Sequence, residues 1–339
     1  MFCFQCQETL KNQGCQVNGV CGKKGSTADL QDLLIHTLKG ISLVAEYKGK
    51  VSKETGEVLI KNLFTTITNV NFNDENIFEL IRNALQYRDN LKENVKIPQD
   101  AHDSVIFKDG TDEELADYAK QIGVLSTENE DVRSLRELLI YGVKGIAAYA
   151  DHALVLGKED ESIYQFVAEA LASTTKELEV QQMIALVLKA GEIAVTTMAL
   201  LDEANTSAYG HPELTEVNIG VKNNPGILIS GHDLKDMEQL LEQTQGPGVD
   251  VYTHGEMLPA NYYPAFKKYN HFVGNYGSSW WKQKEEFESF NGPILMTTNC
   301  LVPPSESYKE RVFTTGRVSF PGMIHIEEDE NGARFFSIN

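Results

Sequence analysis

Four cysteines crowd the first 21 residues of this 339-residue chain: Cys3, Cys6, Cys15 and Cys21. Their spacing is C-x2-C-x8-C-x5-C, and a fifth cysteine, Cys300, stands alone near the other end. The intervening loops are short, so gathering four thiols at one point costs little closure entropy. Thiolates in that number suit zinc or an iron–sulfur cluster. Structural zinc sites usually pair two close C-x2-4-C knuckles, and five residues separate the second pair here. Disulfides belong to oxidising compartments, and no export signal is visible. An iron–sulfur cluster fits best, although neither common ferredoxin spacing is matched. Gly14, Gly19 and Gly22 let the backbone wrap closely and aim N–H groups at sulfur.

A second set of polar residues lies far along the chain. His232 follows the apolar run Gly226–Ser230. His254 and Glu256 follow the run 249–253, and Cys300 follows the run 294–299. If these runs are parallel strands, all four residues sit at carboxyl ends, where open α/β sheets bind ligands. His232, Glu256 and Cys300 would then share one crevice. A histidine, a carboxylate and a thiol form a mixed hard and soft set, unusual for structural zinc and suited to iron carrying both sulfur and oxygen. The plainer alternative stays open. A buried cysteine is often a small apolar residue. Glu256 can be a carboxylate favoured at a helix start, and His232 a neighbour of a helix cap.

The elements that must position these residues are of two kinds. Residues 1 to about 212 show helical periodicity and almost no strand-like alternation. Ser26-Thr27-Ala28-Asp29 has a capping-box pattern before a run with Leu30, Leu33, Leu34, Leu38 and Ile41 on one face. Residues 134–158 echo residues 29–50 at an offset of 105: Leu33-Leu34-Ile35 matches Leu138-Leu139-Ile140, and Lys39-Gly40-Ile41 matches Lys144-Gly145-Ile146. That echo suggests a duplicated helical bundle. Further helices are expected over 74–94, from Thr111, over 162–172 and over 177–204. His36, His102, His152 and His211 have no two-ligand spacing and read as ordinary surface or core histidines.

From residue 213 onward, strands alternate with helices, which implies a parallel, doubly wound sheet. Gly246-Pro247-Gly248 ends the helix begun at Asp233. Trp280 and Trp281 read as core packing. No P-loop, Rossmann glycine fingerprint or nucleophile elbow is present.

Forty-nine acidic residues against 30 basic ones give a net charge of −19. That balance argues against nucleic acid and anionic membranes as main partners. The most apolar stretch, 180–201, contains Gln181, Gln182, Lys189 and Glu192 and reads as a buried helix rather than a membrane span. The expected location is the cytoplasm, with thiols reduced or metal-bound.

The opening MFCFQCQET, the cysteine spacing and the later segments GHDL, THGEMLPA and TTNCLVPP resemble the hybrid-cluster protein family, also called prismane protein or hydroxylamine reductase. The resemblance runs the length of the chain. It implies a helical domain of two three-helix bundles over 1–212, then a Rossmann-like α/β domain over 213–339. It implies a 4Fe-4S cluster on Cys3, Cys6, Cys15 and Cys21. It also implies a hybrid 4Fe-2O-2S cluster in the complete family protein, with His232, Glu256 and Cys300 among its ligands. The implied activity is reduction of hydroxylamine to ammonia, or of nitric oxide, with electrons from a redox donor protein. His254 is a candidate proton donor, because its ordinary pKa lies near physiological pH. The family's hybrid cluster needs three more cysteines and another glutamate from a third domain, and no cysteine follows Cys300 here. The chain looks like the first two thirds of the family protein, and it is expected not to assemble a stable hybrid cluster or be active by itself. The competing expectations are a relative of carbon monoxide dehydrogenase and a non-catalytic electron-transfer or zinc-stabilised scaffold.

Overall fold

The computed structural model describes residues 1–246 and 248–336, so Pro247 of the expected helix stop lies outside the described residues. The fold is multidomain, helical first and parallel α/β second. The chain forms two compact units: residues 1–67, 73–154 and 158–201, and residues 68–72, 155–157 and 202 onward.

The helical unit is built from α1 (Gly25–Lys48), α2 (Lys53–Thr65), α3 (Asp74–Leu91), α4 (Asp103–Ile106), α5 (Asp112–Ala119), α6 (Glu130–Val155), α7 (Glu161–Ser173) and α8 (Val180–Tyr209). α1 is its centre and packs on α2, α3, α4, α5 and α7. Leu30, Leu33, Leu34, Leu38 and Ile41, the face the periodicity picks out, are all buried in one core. Leu139, Ile140 and Ile146 of the echoed helix α6 join the same core. The echo is not exact in packing. A Cβ on Gly40 would lie 2.1 Å from the Ser104 carbonyl oxygen, whereas one on Gly145 would meet nothing within 4 Å.

Helix starts follow the local code where nothing distant competes. Thr111 and Glu114 form a reciprocal capping box on α5. The box expected at Ser26–Asp29 does not form. α1 starts at Gly25, Ser26 donates to Asp74 Oδ2 at 2.7 Å, and Thr27 donates to the same carboxylate. Asp29 is taken by the N-terminal ammonium of Met1 at 2.9 Å. Bonds to a charged partner outcompete the neutral cap.

α8 also departs from expectation. Only 11% of its most apolar window is buried, and Ile184, Leu188, Val195 and Met198 are exposed. Its apolar residues surround the helix, so packing one face leaves the others outside. α6 and α8 are both long and apolar enough to cross a membrane, by length and composition only.

Among the described residues, the α/β unit holds six parallel strands: β1 (Gly226–Ser230), β2 (Asp250–His254), β3 (Phe272–Asn275), β4 (Ile294–Met296), β5 (Val312–Thr315) and β6 (Ile324–Ile326). Their order is β3-β2-β1-β4-β5-β6. Ser230 pairs with His254 on one side and Met296 on the other, so three strand ends lie level. α9 (Leu234–Gln243) follows β1, capped by Asp233, whose carboxylate accepts from the N–H groups of Lys235 and Asp236. α10 (Gln283–Ser289) precedes β4. Ile227, Ile229, Met237, Leu240, Val251 and Leu295 fill the core beneath the sheet. Asp236, fully buried on α9, pairs with Arg334 and accepts from Thr315 at 2.6 Å.

Candidate metal centres

The cysteine loop is held by its own backbone. Cys3 and Cys15 exchange two N–H···O bonds of 3.0 and 2.8 Å. The Thr9 N–H donates to the Cys6 carbonyl at 3.1 Å, and its hydroxyl donates to the Cys3 carbonyl at 3.2 Å. Gly14 sits at φ +144°, and a Cβ there would lie 2.6 Å from the Phe2 ring. All five cysteines of the chain are free thiols.

The electrostatics of the loop suit an anionic, thiolate-bound group. Burial pushes the Cys6 thiol up, and the thiols of Cys21, Cys3 and Cys15 add to that, so all three lie within electrostatic reach of the Cys6 sulfur. Burial also opposes ionisation of Cys15, but N–H groups of Leu10 and Val20, the Thr9 hydroxyl and the Lys23 charge outweigh it and hold that thiol low. N–H donors aimed at sulfur, with a buried cation close by, are what a thiolate-ligated iron–sulfur cluster needs. Among the described residues, no three His, Cys, Asp or Glu side chains come close enough to share a single metal ion. A four-iron cluster takes its four thiolates on four different irons, so its ligands need not meet at one ion.

The second centre lies where the strand order reverses between β1 and β4. Open α/β sheets bind ligands at such a switch point. His232 follows β1, and its N–H and Nδ1 both meet the Thr298 hydroxyl, at 2.7 and 3.0 Å. Thr298 thereby ties His232 to the segment carrying Cys300. Glu256 lies in the first turn of the 3₁₀ helix Gly255–Tyr262 that follows β2. Burial pushes the Cys300 thiol up to about 12, and the Glu256 charge adds to the rise, so Glu256 lies within electrostatic reach of Cys300. The structure thus ties His232 to the segment that carries Cys300 and sets Glu256 within electrostatic reach of Cys300, without bringing the three side chains to a single ion.

Cys300 has a left-handed backbone, φ +71°. A side chain there is strained, and such a conformation persists only when its surroundings dictate it. Two amides do so. Gln283, fully buried, donates to the Cys300 carbonyl and accepts from the Val302 N–H at 3.0 Å. Asn69 donates to the Leu301 carbonyl at 2.8 Å, and the Asn69 carbonyl accepts from the Leu301 N–H at 3.0 Å. Neither amide was visible as a site residue in the sequence. Asn69 lies 232 positions from Leu301, and no local pattern marks that pairing.

His254, read from the sequence as a direct proton donor, is fully buried. Its Nδ1 meets the Ser230 hydroxyl at 3.1 Å and its Nε2 meets Glu286 Oε2 at 2.8 Å, so both ring nitrogens are engaged within the protein. Burial lowers its pKa against the pull of Glu286. Glu286 is only partly buried, and hydrogen bonds from Ser278 and His254 hold its carboxyl low. The result is a neutral imidazole beside a carboxylate. Glu286 is a further residue that sequence reading passed over.

A sequence model of the family described as Prismane/CO dehydrogenase matches residues 1–338. The hydroxylamine reductase of Acetivibrio thermocellus is 59% identical over 343 residues, covering 99% of this chain and 63% of that protein. The hydroxylamine reductase of Halothermothrix orenii is 59% identical over 346 residues, covering 98% and 62%. The chain thus spans slightly less than two thirds of the length of these relatives. Carbon monoxide dehydrogenase IV from Carboxydothermus hydrogenoformans aligns over 96% of this chain and 51% of its own, with a TM-score of 0.41 and 14% sequence identity.

Proposed function

The chain belongs to the Prismane/CO dehydrogenase family, and from that premise we propose that it is part of a cytoplasmic iron–sulfur oxidoreductase that reduces hydroxylamine to ammonia. The reaction consumes two electrons and two protons, breaks the N–O bond and releases water. The relatives named hydroxylamine reductase support this substrate; nitric oxide is the other nitrogen substrate in view. The observation that supports the reading is the placement of His232, Glu256 and Cys300 after strand ends of the sheet whose order reverses between β1 and β4, together with the four-cysteine loop of the helical unit.

When bound, a 4Fe-4S cluster on Cys3, Cys6, Cys15 and Cys21 would supply one-electron transfer, and a hybrid cluster with His232, Glu256 and Cys300 among its ligands would supply a Lewis-acidic position for the substrate. The chain's own residues prepare that position. Thr298 orients His232, while Gln283 and Asn69 fix the peptide that presents Cys300. Glu286, anchored by His254 Nε2, is the proton-handling carboxylate of this reading, with the neutral His254 ring behind it. His254 is therefore a positioning residue in this reading, since it acts through Glu286. Four of the five cysteines serve the first centre, so this chain brings one sulfur to the second. We infer that it holds the 4Fe-4S cluster and does not complete the hybrid cluster by itself, and that a redox donor protein supplies its electrons.

The test is the iron, zinc and acid-labile sulfide content of anaerobically purified chain. About four irons and four sulfides are expected. Zinc without sulfide would overturn the redox reading. A complete hybrid-cluster EPR signature in this chain would overturn the inference that the second centre is incomplete.

A further inference from the structure

Two adjoining cavities inside the helical unit join its surface to the cysteine loop. The inner one, about 20 Å³, is lined by Phe2, Cys3, Gln31, Asp32, Glu137 and Lys144. One water needs roughly 10–15 Å³, so it holds one or two. The outer one, about 160 Å³, is lined by His36, Lys39, His102, Asp103 and Arg136 and reaches exposed Gln121 and Ser126 at its rim. Asp32 and Glu137 line both, with apolar Ile35, Val124 and Ile140, so theirs are the two carboxyl groups in the partition between the chambers. The Nε of Arg136 is buried with no protein partner, the kind of group that an ordered cavity water satisfies.

The partition is surrounded by charge. Lys144, Glu137, Asp29 and Lys23 face Asp32. Lys39, Lys144, Arg133 and Arg136 face Glu137. Further out, His36 meets Asp103 at 3.3 Å and the Tyr118 hydroxyl at 3.2 Å, and its ring lies against that of His102.

We propose that Asp32 and Glu137 are a proton-uptake site, fed by water through the outer cavity, that takes a proton when an electron arrives at the four-cysteine centre. This rests on reading Cys3, Cys6, Cys15 and Cys21 as a cluster site. A one-electron reductant supplies the electron. Water supplies the proton, which forms an O–H bond on one carboxylate, and no other bond changes. The driving force is electrostatic: added negative charge near a buried carboxyl group raises its affinity for a proton. Burial has already pushed Asp32 up to about 7, with Lys144 opposing, so a modest further rise protonates it at neutral pH. By linkage, uptake of one proton per electron makes the potential fall as pH rises, by 59 mV for each tenfold change in proton activity.

The experiment is an EPR-monitored dithionite titration of the anaerobically purified chain between pH 6 and 9. The expected midpoint falls with pH above about 7, approaching 59 mV per unit. Asp32→Asn flattens that slope with iron and sulfide content unchanged, and Asp32→Glu restores it. Glu137→Gln serves as the second variant where Asp32→Asn fails to fold. A pH-independent wild-type potential, or a slope untouched by both substitutions, overturns the coupling alone. A chain that binds no iron overturns the cluster reading and this proposal with it.

Discussion

In the cysteine loop, four candidate ligand side chains come from positions 3 to 21, and neighbouring backbone groups hold them: Cys3 to Cys15, Cys6 to Thr9, Cys15 to Leu10 and Val20. At the strand ends, three candidate ligand side chains come from positions 232, 256 and 300, and the restraints on them come from Thr298, Gln283 and Asn69, the last distant in sequence. The first centre needs its own loop and little else. The second needs a sheet in register, a left-handed residue and two buried amides. A perturbation of the α/β unit should therefore disorder the second site while sparing the first.

The largest effect is expected from Arg334→Ala. It leaves Asp236, fully buried, without its cation. Breaking a buried ion pair costs about 3–5 kcal/mol, read as urea unfolding of the α/β unit. Iron on the cysteine loop should survive; its loss in step with the α/β unit would break the comparison.

Gln283→Ala and Asn69→Ala should each cost about 1–3 kcal/mol by leaving buried peptide groups unpaired. The specific readout is alkylation of the metal-free chain at pH 8, mapped by peptide. Cys300, with its thiol pushed up to about 12, should react slowest in the wild type and faster in both variants. Rates at Cys3, Cys6, Cys15 and Cys21 should not move.

Thr9→Val is the converse probe. It removes the bond to the Cys3 carbonyl and the hydroxyl's contact with Cys15, about 1 kcal/mol. Iron should leave the loop faster under a chelator, while Cys300 alkylation stays unchanged.

The smallest effect is a pH dependence. Burial lowers the pKa of His254, so the fold favours the neutral ring. That contribution is present above the unfolded value near 6.5 and is lost as pH falls below it, by less than about 1 kcal/mol at pH 6. The difference in unfolding free energy between wild type and His254→Gln should open below that pH. A constant difference from pH 5 to 8 would show that folding leaves the His254 pKa unshifted.

Much of this was legible in the sequence because it is local. The spacing of Cys3, Cys6, Cys15 and Cys21 is short enough to impose convergence on the chain. The buried face of α1, the box at Thr111 and the apolar runs of β1 and β2 follow from periodicity and neighbour chemistry. Parallel alternation placed His232, Glu256 and Cys300 at carboxyl ends before any pairing was seen. The tertiary structure decided the rest. It drew Asp74 to Ser26 and Thr27, left α8 largely uncovered, closed both nitrogens of His254 and set Asn69 against Leu301. Local pattern dictates which backbone a segment prefers and which residues it presents. Which buried group meets which partner across two hundred residues depends on packing and desolvation, and no short stretch of sequence encodes those terms.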